Sequence, residues 1–251
     1  MVQELPQRTG FGGPALIRLL VRLTDTDVQA SRQPLSRQLS QWLDWSDAIG
    51  LSTVLNGPPP AVQAGGLGDD PAREAATEYD QLRDKLEKAI LGQDASPATR
   101  RQRVYRRSVI AADGKPAAPI EYPAFRQRYV SLQERMETSI SNLRIRLRAV
   151  LAARSPTMAR LALVDAAMEQ ALGGREQRLL LKVPALLESH FEHLRDAATD
   201  AQHGGEGRDA TSTAPVPWQD VFRRDMQRVL LAELDIRLKP IEGLIAALRT
   251  C

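Results

Sequence analysis

Few residues in this chain have the type and spacing that chemistry needs. His190 and His193 stand three apart, with Glu188 and Glu192 beside them. On a helix that spacing puts two imidazoles and a carboxylate on neighbouring positions, the beginning of a metal site. No third ligand follows at a familiar spacing, so the pair, like His203, reads as polar surface histidine. No nucleophile elbow surrounds any serine, and nucleophilic catalysis needs a base and an orienting acid beside the nucleophile. Gly65-Gly66-Leu67-Gly68 lacks the preceding strand of a phosphate-binding loop and sits among prolines. Gly10-Phe11-Gly12-Gly13 leads into a helical pattern, where free backbone N–H groups could hold an anion, but the rest of a motif is missing. The one cysteine, Cys251, allows no internal disulfide and fits a reducing compartment. No catalytic, cofactor-binding or metal-ligating residue is assigned, and no enzymatic activity is expected.

Charge is the second resource. Residues 95–154 hold thirteen basic and four acidic side chains, although the whole chain nets only +3. The densest part is Arg100, Arg101, Arg103, Arg106 and Arg107, with Tyr105 among them. A following helical segment adds Arg126, Arg128, Arg144 and Arg148. Three readings compete for this region. Its charge could be met internally by the acidic face of the 71–91 segment (Glu74, Glu78, Asp80, Asp84, Glu87). It could meet the acidic surface of a protein partner. It could meet a phosphate backbone or an anionic membrane surface. Aromatic residues are only 4% of the chain, which argues against a single-strand stacking platform.

The elements that must position these residues are helical wherever a period exists. Leu16, Leu19, Leu20 and Leu23 mark a short first helix. Leu35, Leu39, Trp42, Leu43 and Ile49 mark a second, entered at Pro34 and capped at Gly50. Trp42 and Trp45 could share one of its faces, as a packing anchor or as a ligand-stacking or partner surface. Residues 56–70, with Pro58-Pro59-Pro60, read as a flexible linker. Ala72, Ala75, Tyr79, Leu82, Leu86 and Ile90 form the stripe of a helix over 71–91. A short basic helix is expected from Pro97 to about Val109.

The strongest element spans about Pro123 to Arg154. Tyr129, Leu132, Met136, Ile140, Leu143, Leu147 and Leu151 are spaced so that the pattern repeats after eleven residues, and such a stripe stays nearly straight. At ~1.5 Å per residue it is ~48 Å long and must bury that stripe on something comparably long. Ser155-Pro156 caps the next helix, which carries Leu161, Val164, Met168 and Leu172 and is expected to stop at Gly173-Gly174. A further helix, Arg175 to about Ala201, keeps Leu180, Val183, Leu187, Phe191 and Leu194 in phase across Pro184, as one kinked rod. Residues 204–217 form a second linker. A last helix begins at Trp218 with Phe222, Met226, Val229, Leu230 and Leu234, is kinked or broken at Pro240, and resumes with Ile241, Leu244, Ile245 and Leu248.

The expected fold is therefore all-α: an elongated helical bundle around a long antiparallel hairpin. The expected organisation is a helical segment over 1–55, a linker over 56–70, the main bundle over 71–203, a linker over 204–217, and a kinked helix over 218–251 packing on the bundle. The first apolar run is interrupted by Arg18 and Arg22, so it reads neither as a signal peptide nor as a membrane span, and a cytoplasmic protein is expected.

Phe125-Arg-Gln-Arg-Tyr129 through Gln133, Met136, Ile140 and Leu143-Arg144 resembles the hallmark segment of a proteobacterial family of unknown function. Leu179-Leu-Leu-Lys-Val-Pro-Ala-Leu-Leu187 with Phe191 is similar to its next block. Phe222-Arg-Arg-Asp-Met226, Leu230 to Leu238, Pro240 and Glu242-Gly-Leu244 are similar to its C-terminal block. The resemblance implies no activity and no catalytic residues. It does imply a gene neighbourhood of MotA/TolQ/ExbB-like proton channels and OmpA-type peptidoglycan binders, hence a cytoplasmic accessory of an envelope complex. The function expected is a non-enzymatic scaffold or adaptor with a protein partner, or a homodimer. The first alternative is a nucleic-acid-associated protein using residues 100–107, and the second is an enzyme of unrecognised type.

Overall fold

The computed structural model describes residues 14–24, 33–58, 70–93, 121–203 and 217–250. The helices, in chain order, are α1 (Ala15–Thr24), α2 (Leu35–Trp42), α3 (Trp45–Asn56), α4 (Pro71–Leu91), α5 (Tyr122–Arg154), α6 (Pro156–Leu180), α7 (Val183–His203) and α8 (Trp218–Arg249). Every described element is helical, so the all-α class holds. The expected basic helix over 97–109 and most of the two linkers lie outside the described residues.

The centre of the bundle is α8. It buries a broad face, from Phe222 through Leu230 and Leu238 to Leu248, leaves the stripe of Arg224, Arg228, Lys239 and Arg249 exposed, and touches α1, α4, α5 and α7. A helix whose apolar face is this wide needs several neighbours to cover it. It continues through Pro240 as one helix. The α5 stripe is buried at all seven positions read from the sequence, with Tyr122 and Phe125 extending it at the N-terminal end.

Polar contacts show the helix directions. Arg148 and Arg144 meet Asp165, and Gln133 meets Leu180, so pairs step outward from the turn at Ser155 and α6 runs antiparallel to α5. The Ser155 hydroxyl accepts from the Met158 amide, ending one helix and starting the next in a single residue. Tyr79 with Glu242 and Arg83 with Asp235 set α4 antiparallel to α8. Leu16 and Leu20 of α1 are part of the same core, so the first helix packs into the main bundle despite the linker that follows it.

Three local expectations are corrected. The second helix is two: α2 ends at Trp42, and Asp44 caps α3 by accepting from the Asp47 amide while Asp47 accepts from the Asp44 amide. This reciprocal box starts a new helix where the apolar period suggests continuation, and Gly50 lies inside α3. Next, α6 runs through Gly173-Gly174 to Leu180 and breaks at Leu181-Lys182 instead. A glycine costs a helix only ~1 kcal/mol, whereas Pro184 removes a backbone donor outright. Last, Leu161, Val164, Met168 and Leu172 are only half-buried, because α6 is an outer helix whose buried residues are Ala159, Ala162 and Leu180.

Candidate functional site

Most clusters of polar side chains are spent inside the bundle. The most deeply placed is Glu233 of α8, at 0% exposure. The Tyr129 phenol donates to it at 2.6 Å, the Gln133 amide at 3.0 Å and the Arg237 guanidinium at 2.9 Å. A buried carboxylate is tolerable only when its lone pairs are met this fully. Burial, and then the Glu233 charge, push the Tyr129 phenol far above its ordinary range, so it stays a neutral donor. The Gln133 amide also donates to the Leu180 carbonyl at 3.2 Å. In an unbroken helix that carbonyl would take the N–H of residue 184, which is proline.

A second cluster surrounds Phe222. Its ring packs edge-on against Phe125 at 5.0 Å and Phe191 at 5.1 Å, and Trp218 closes on Phe191 at 5.0 Å. His190 belongs here. It is 8% exposed, lies beside Phe222, and its Nε2 is 3.2 Å from the Asp225 carboxylate. The reading of His190 as a surface histidine is overturned: Asp225, thirty-five residues away, is brought opposite it by the α7–α8 packing. His193 is exposed. Among the described residues no group of three or more His, Cys, Asp or Glu is placed to hold a metal ion.

A third cluster uses the basic face of α5. Arg144 and Arg148 both bond Asp165, at 2.7 Å each, and both reach Glu169. Burial opposes the Asp165 charge, but the bonds and charges of Arg144 and Arg148 outweigh it and hold its carboxyl below the usual range. Arg146 pairs with Glu78 of α4. Arg144 and Arg148 thus meet acids of α6, not the α4 acids that the internal reading expected, and Arg146 meets Glu78 of α4. Arg128 lies against the end of α4, its guanidinium 3.1 Å from where a Cβ on Gly92 would sit. Arg126 is exposed, at the rim of a cleft of about 380 Å³ that Tyr122, Leu181, Pro184, Ala185 and Glu188 also line. Arg100, Arg101, Arg103, Tyr105, Arg106 and Arg107 lie outside the described residues.

What these clusters leave over is apolar. Trp45, Ile49 and Leu55 of α3 are 81%, 51% and 50% exposed, and α3 buries no residue. Leu163 of α6 is exposed as well. Leu179, Leu181 and Leu186, at the α6–α7 corner beside the cleft, add a further apolar surface. Contiguous exposed apolar surface on a folded protein marks an interaction site. Sequence periodicity pointed at Trp45 but not at these leucines, since a helical stripe does not say which side remains uncovered.

The α2–α3 unit is held to α6 at both ends. Arg160 donates to the Gly57 carbonyl at 2.7 Å, and the Arg175 guanidinium sits 5.1 Å above the Trp42 ring. Trp42 and Trp45 therefore occupy different helices and different surroundings.

A family model described as Protein of unknown function (DUF3348) matches residues 1–250. The chain belongs to the DUF3348 family. No curated protein and no solved structure matches it. The three segments that carry the family resemblance supply the members of the buried node in this DUF3348 protein: Tyr129 and Gln133 from the first, Leu180 and Pro184 from the second, Glu233 and Arg237 from the third.

Proposed function

We propose that this DUF3348 protein is a non-enzymatic helical scaffold or adaptor that binds other proteins. The observation that carries this reading is the uncovered apolar surface of α3, with Trp45, Ile49 and Leu55 turned to solvent on a helix that buries nothing. The internal commitment of the polar clusters at Glu233, Asp225 and Asp165 supports it from the other side, because those groups hold helices together and are not aimed into the cleft. No helix among the described residues is long and apolar enough to cross a membrane. That and the single cysteine are consistent with a cytoplasmic site of action, and the family resemblance points to an envelope complex as the class of partner.

The test is retrieval of partners by the tagged full chain from a lysate of its own source. The comparison is between the natural protein and one carrying Trp45→Glu with Leu55→Glu, identified by mass spectrometry. Proteins retrieved by the first and lost by the second are expected. Identical retrieval by both, or none by either, overturns the reading.

A further inference from the structure

We infer that the cleft between α5 and α7 binds a small dipolar molecule, a free α-amino acid with an apolar side chain, whose carboxylate meets Arg126 and whose ammonium meets Glu188. The cleft is built from the start of each helix. Tyr122 and Arg126 stand four apart on α5, and Pro184 and Glu188 four apart on α7. That spacing puts each pair on one helix face, so each wall carries a ring with a charge one turn further on. Leu181, at the break before α7, lines the apolar side.

The two walls are fixed to each other. The Tyr122 phenol donates to the Pro184 carbonyl, and its ring packs on Phe191 of α7 at 5.5 Å. The phenol is therefore spent, and the polar side chains left to face a ligand are Arg126 and Glu188. Both are exposed, and among the described residues neither forms an ion pair or a side-chain hydrogen bond. Both also act on the same point between the walls. Burial raises the Tyr122 phenol, the Glu188 charge adds to that rise and the Arg126 charge opposes it.

Charge selects the occupant. One cation and one anion line the same small space. An anion alone is attracted by Arg126 but repelled by Glu188, and a cation alone the reverse. A neutral apolar molecule covers both charges and pairs neither, at a desolvation cost. A molecule that carries both charges pairs both, and hydrogen bonds between ionised groups are the stronger kind. Size limits the ligand further. At about 380 Å³ the cleft lies near the lower end of the ~300–1,000 Å³ range of small-molecule sites, which suits one amino acid better than a folded segment. Leu181 is 55% exposed, and with Pro184 and Ala185 it offers the ligand's side chain an aliphatic surface to cover.

The test is a two-dimensional amide NMR titration of the purified full chain with leucine, and with two derivatives that each lack one charge, N-acetyl-leucine and leucinamide. The same ligands are titrated into Arg126→Gln and Glu188→Gln, and circular dichroism checks that these exposed substitutions leave helicity unchanged. Leucine is expected to shift amides around residues 122–126 and 181–188. Each derivative, and each variant with leucine, is expected to bind about tenfold or more weakly, the weight of one charge-assisted hydrogen bond. Acetylation should cost nothing further in Glu188→Gln, whose carboxylate is gone, and amidation nothing further in Arg126→Gln. No leucine binding by the natural chain up to about 10 mM overturns the inference. So do shifts confined to other parts of the chain, a derivative that matches leucine, or a variant that keeps full affinity. The cleft shares no residue with α3, so each of these results is independent of the scaffold reading.

Discussion

The side-chain amide of Gln133 donates to the carbonyl of Leu180 at 3.2 Å, the acceptor that Pro184 leaves without a backbone donor. A side chain on the longest helix thus completes the break between the two helices that follow it. The same amide contacts Glu233, so the break in α6–α7 and the central helix α8 are tied through one residue.

Gln133→Met is expected to destabilise the fold by about 1–3 kcal/mol, because a buried carbonyl and a buried carboxylate each lose a donor. Pro184→Ala restores a backbone N–H four residues beyond Leu180. Combined with Gln133→Met it should cost less than the sum of the two single changes. Urea denaturation of the four proteins reads this. Additivity within about 0.5 kcal/mol would sink the coupling.

Asp165 gives the fold a pH dependence whose sign is fixed by its lowered pKa. A carboxyl depressed in the folded state contributes stability that is fully present above the unfolded value of about 3.9 and is lost as pH falls through the folded value. Asp165→Asn removes the charge that Arg144 and Arg148 share and should cost about 1.5–3 kcal/mol at neutral pH. The difference between natural protein and variant should shrink as pH is lowered from about 4. A difference that stays constant down to the acid unfolding limit would show that the Asp165 charge contributes nothing.

Arg160 and Arg175 fasten the α2–α3 unit at its two ends. Arg160→Ala with Arg175→Ala should speed amide exchange across residues 35–57 by roughly thirtyfold, since about 1 kcal/mol is expected from each of the two contacts. Exchange in α5 and α8 should not change, because α3 buries no core residue. Equal acceleration throughout the bundle would mean that α3 and the core open as one unit.

Phe222 is 0% exposed and is the common neighbour of Tyr122, Phe125, His190 and Phe191. Phe222→Ala is expected to cost about 3–5 kcal/mol through the cavity it opens. Phe222→Leu should cost clearly less. Equal losses in thermal unfolding would contradict the central placement of this ring.

Burial, and then the Glu188 charge, push the Tyr122 phenol up to about 12. A phenol raised in the fold stays neutral while its unfolded counterpart ionises near 10, so stability falls as pH rises above that value. In an alkaline absorbance titration Tyr122→Phe should remove a late-ionising phenol near 12. Loss of signal near 10 instead would place Tyr122 in solvent.

Much of the fold was legible in the sequence because helices are local. The seven-residue stripe of α5, the cap at Ser155 and the α4 stripe follow from the 3.6-residue period and from side chains within one turn. The errors had local causes too. Gly173-Gly174 reads as a stop because glycine is a weak helix former, but the cost of about 1 kcal/mol per glycine does not end the helix. Gly50 looked like a cap because the stronger signal, the Asp44–Asp47 box, lay within what read as continuous periodicity.

What the sequence by itself determined is the helical class and the inward sides of α4, α5 and α8, since each is written in neighbours three and four residues apart. Only the tertiary structure decided where the polar residues go. Glu233 is held by Tyr129 and Gln133, 104 and 100 residues away, and His190 is buried because Asp225 arrives from another helix. Arg144 and Arg148 leave the predicted contact surface because Asp165 and Glu169 neutralise them from α6. The outer face of α3 is exposed for the same kind of reason: two helix faces carry similar residues, and only packing settles which one α6 covers. A side chain's charge and polarity are fixed by its type, but its partner is fixed by which helices lie side by side, and that depends on the burial of the whole bundle at once.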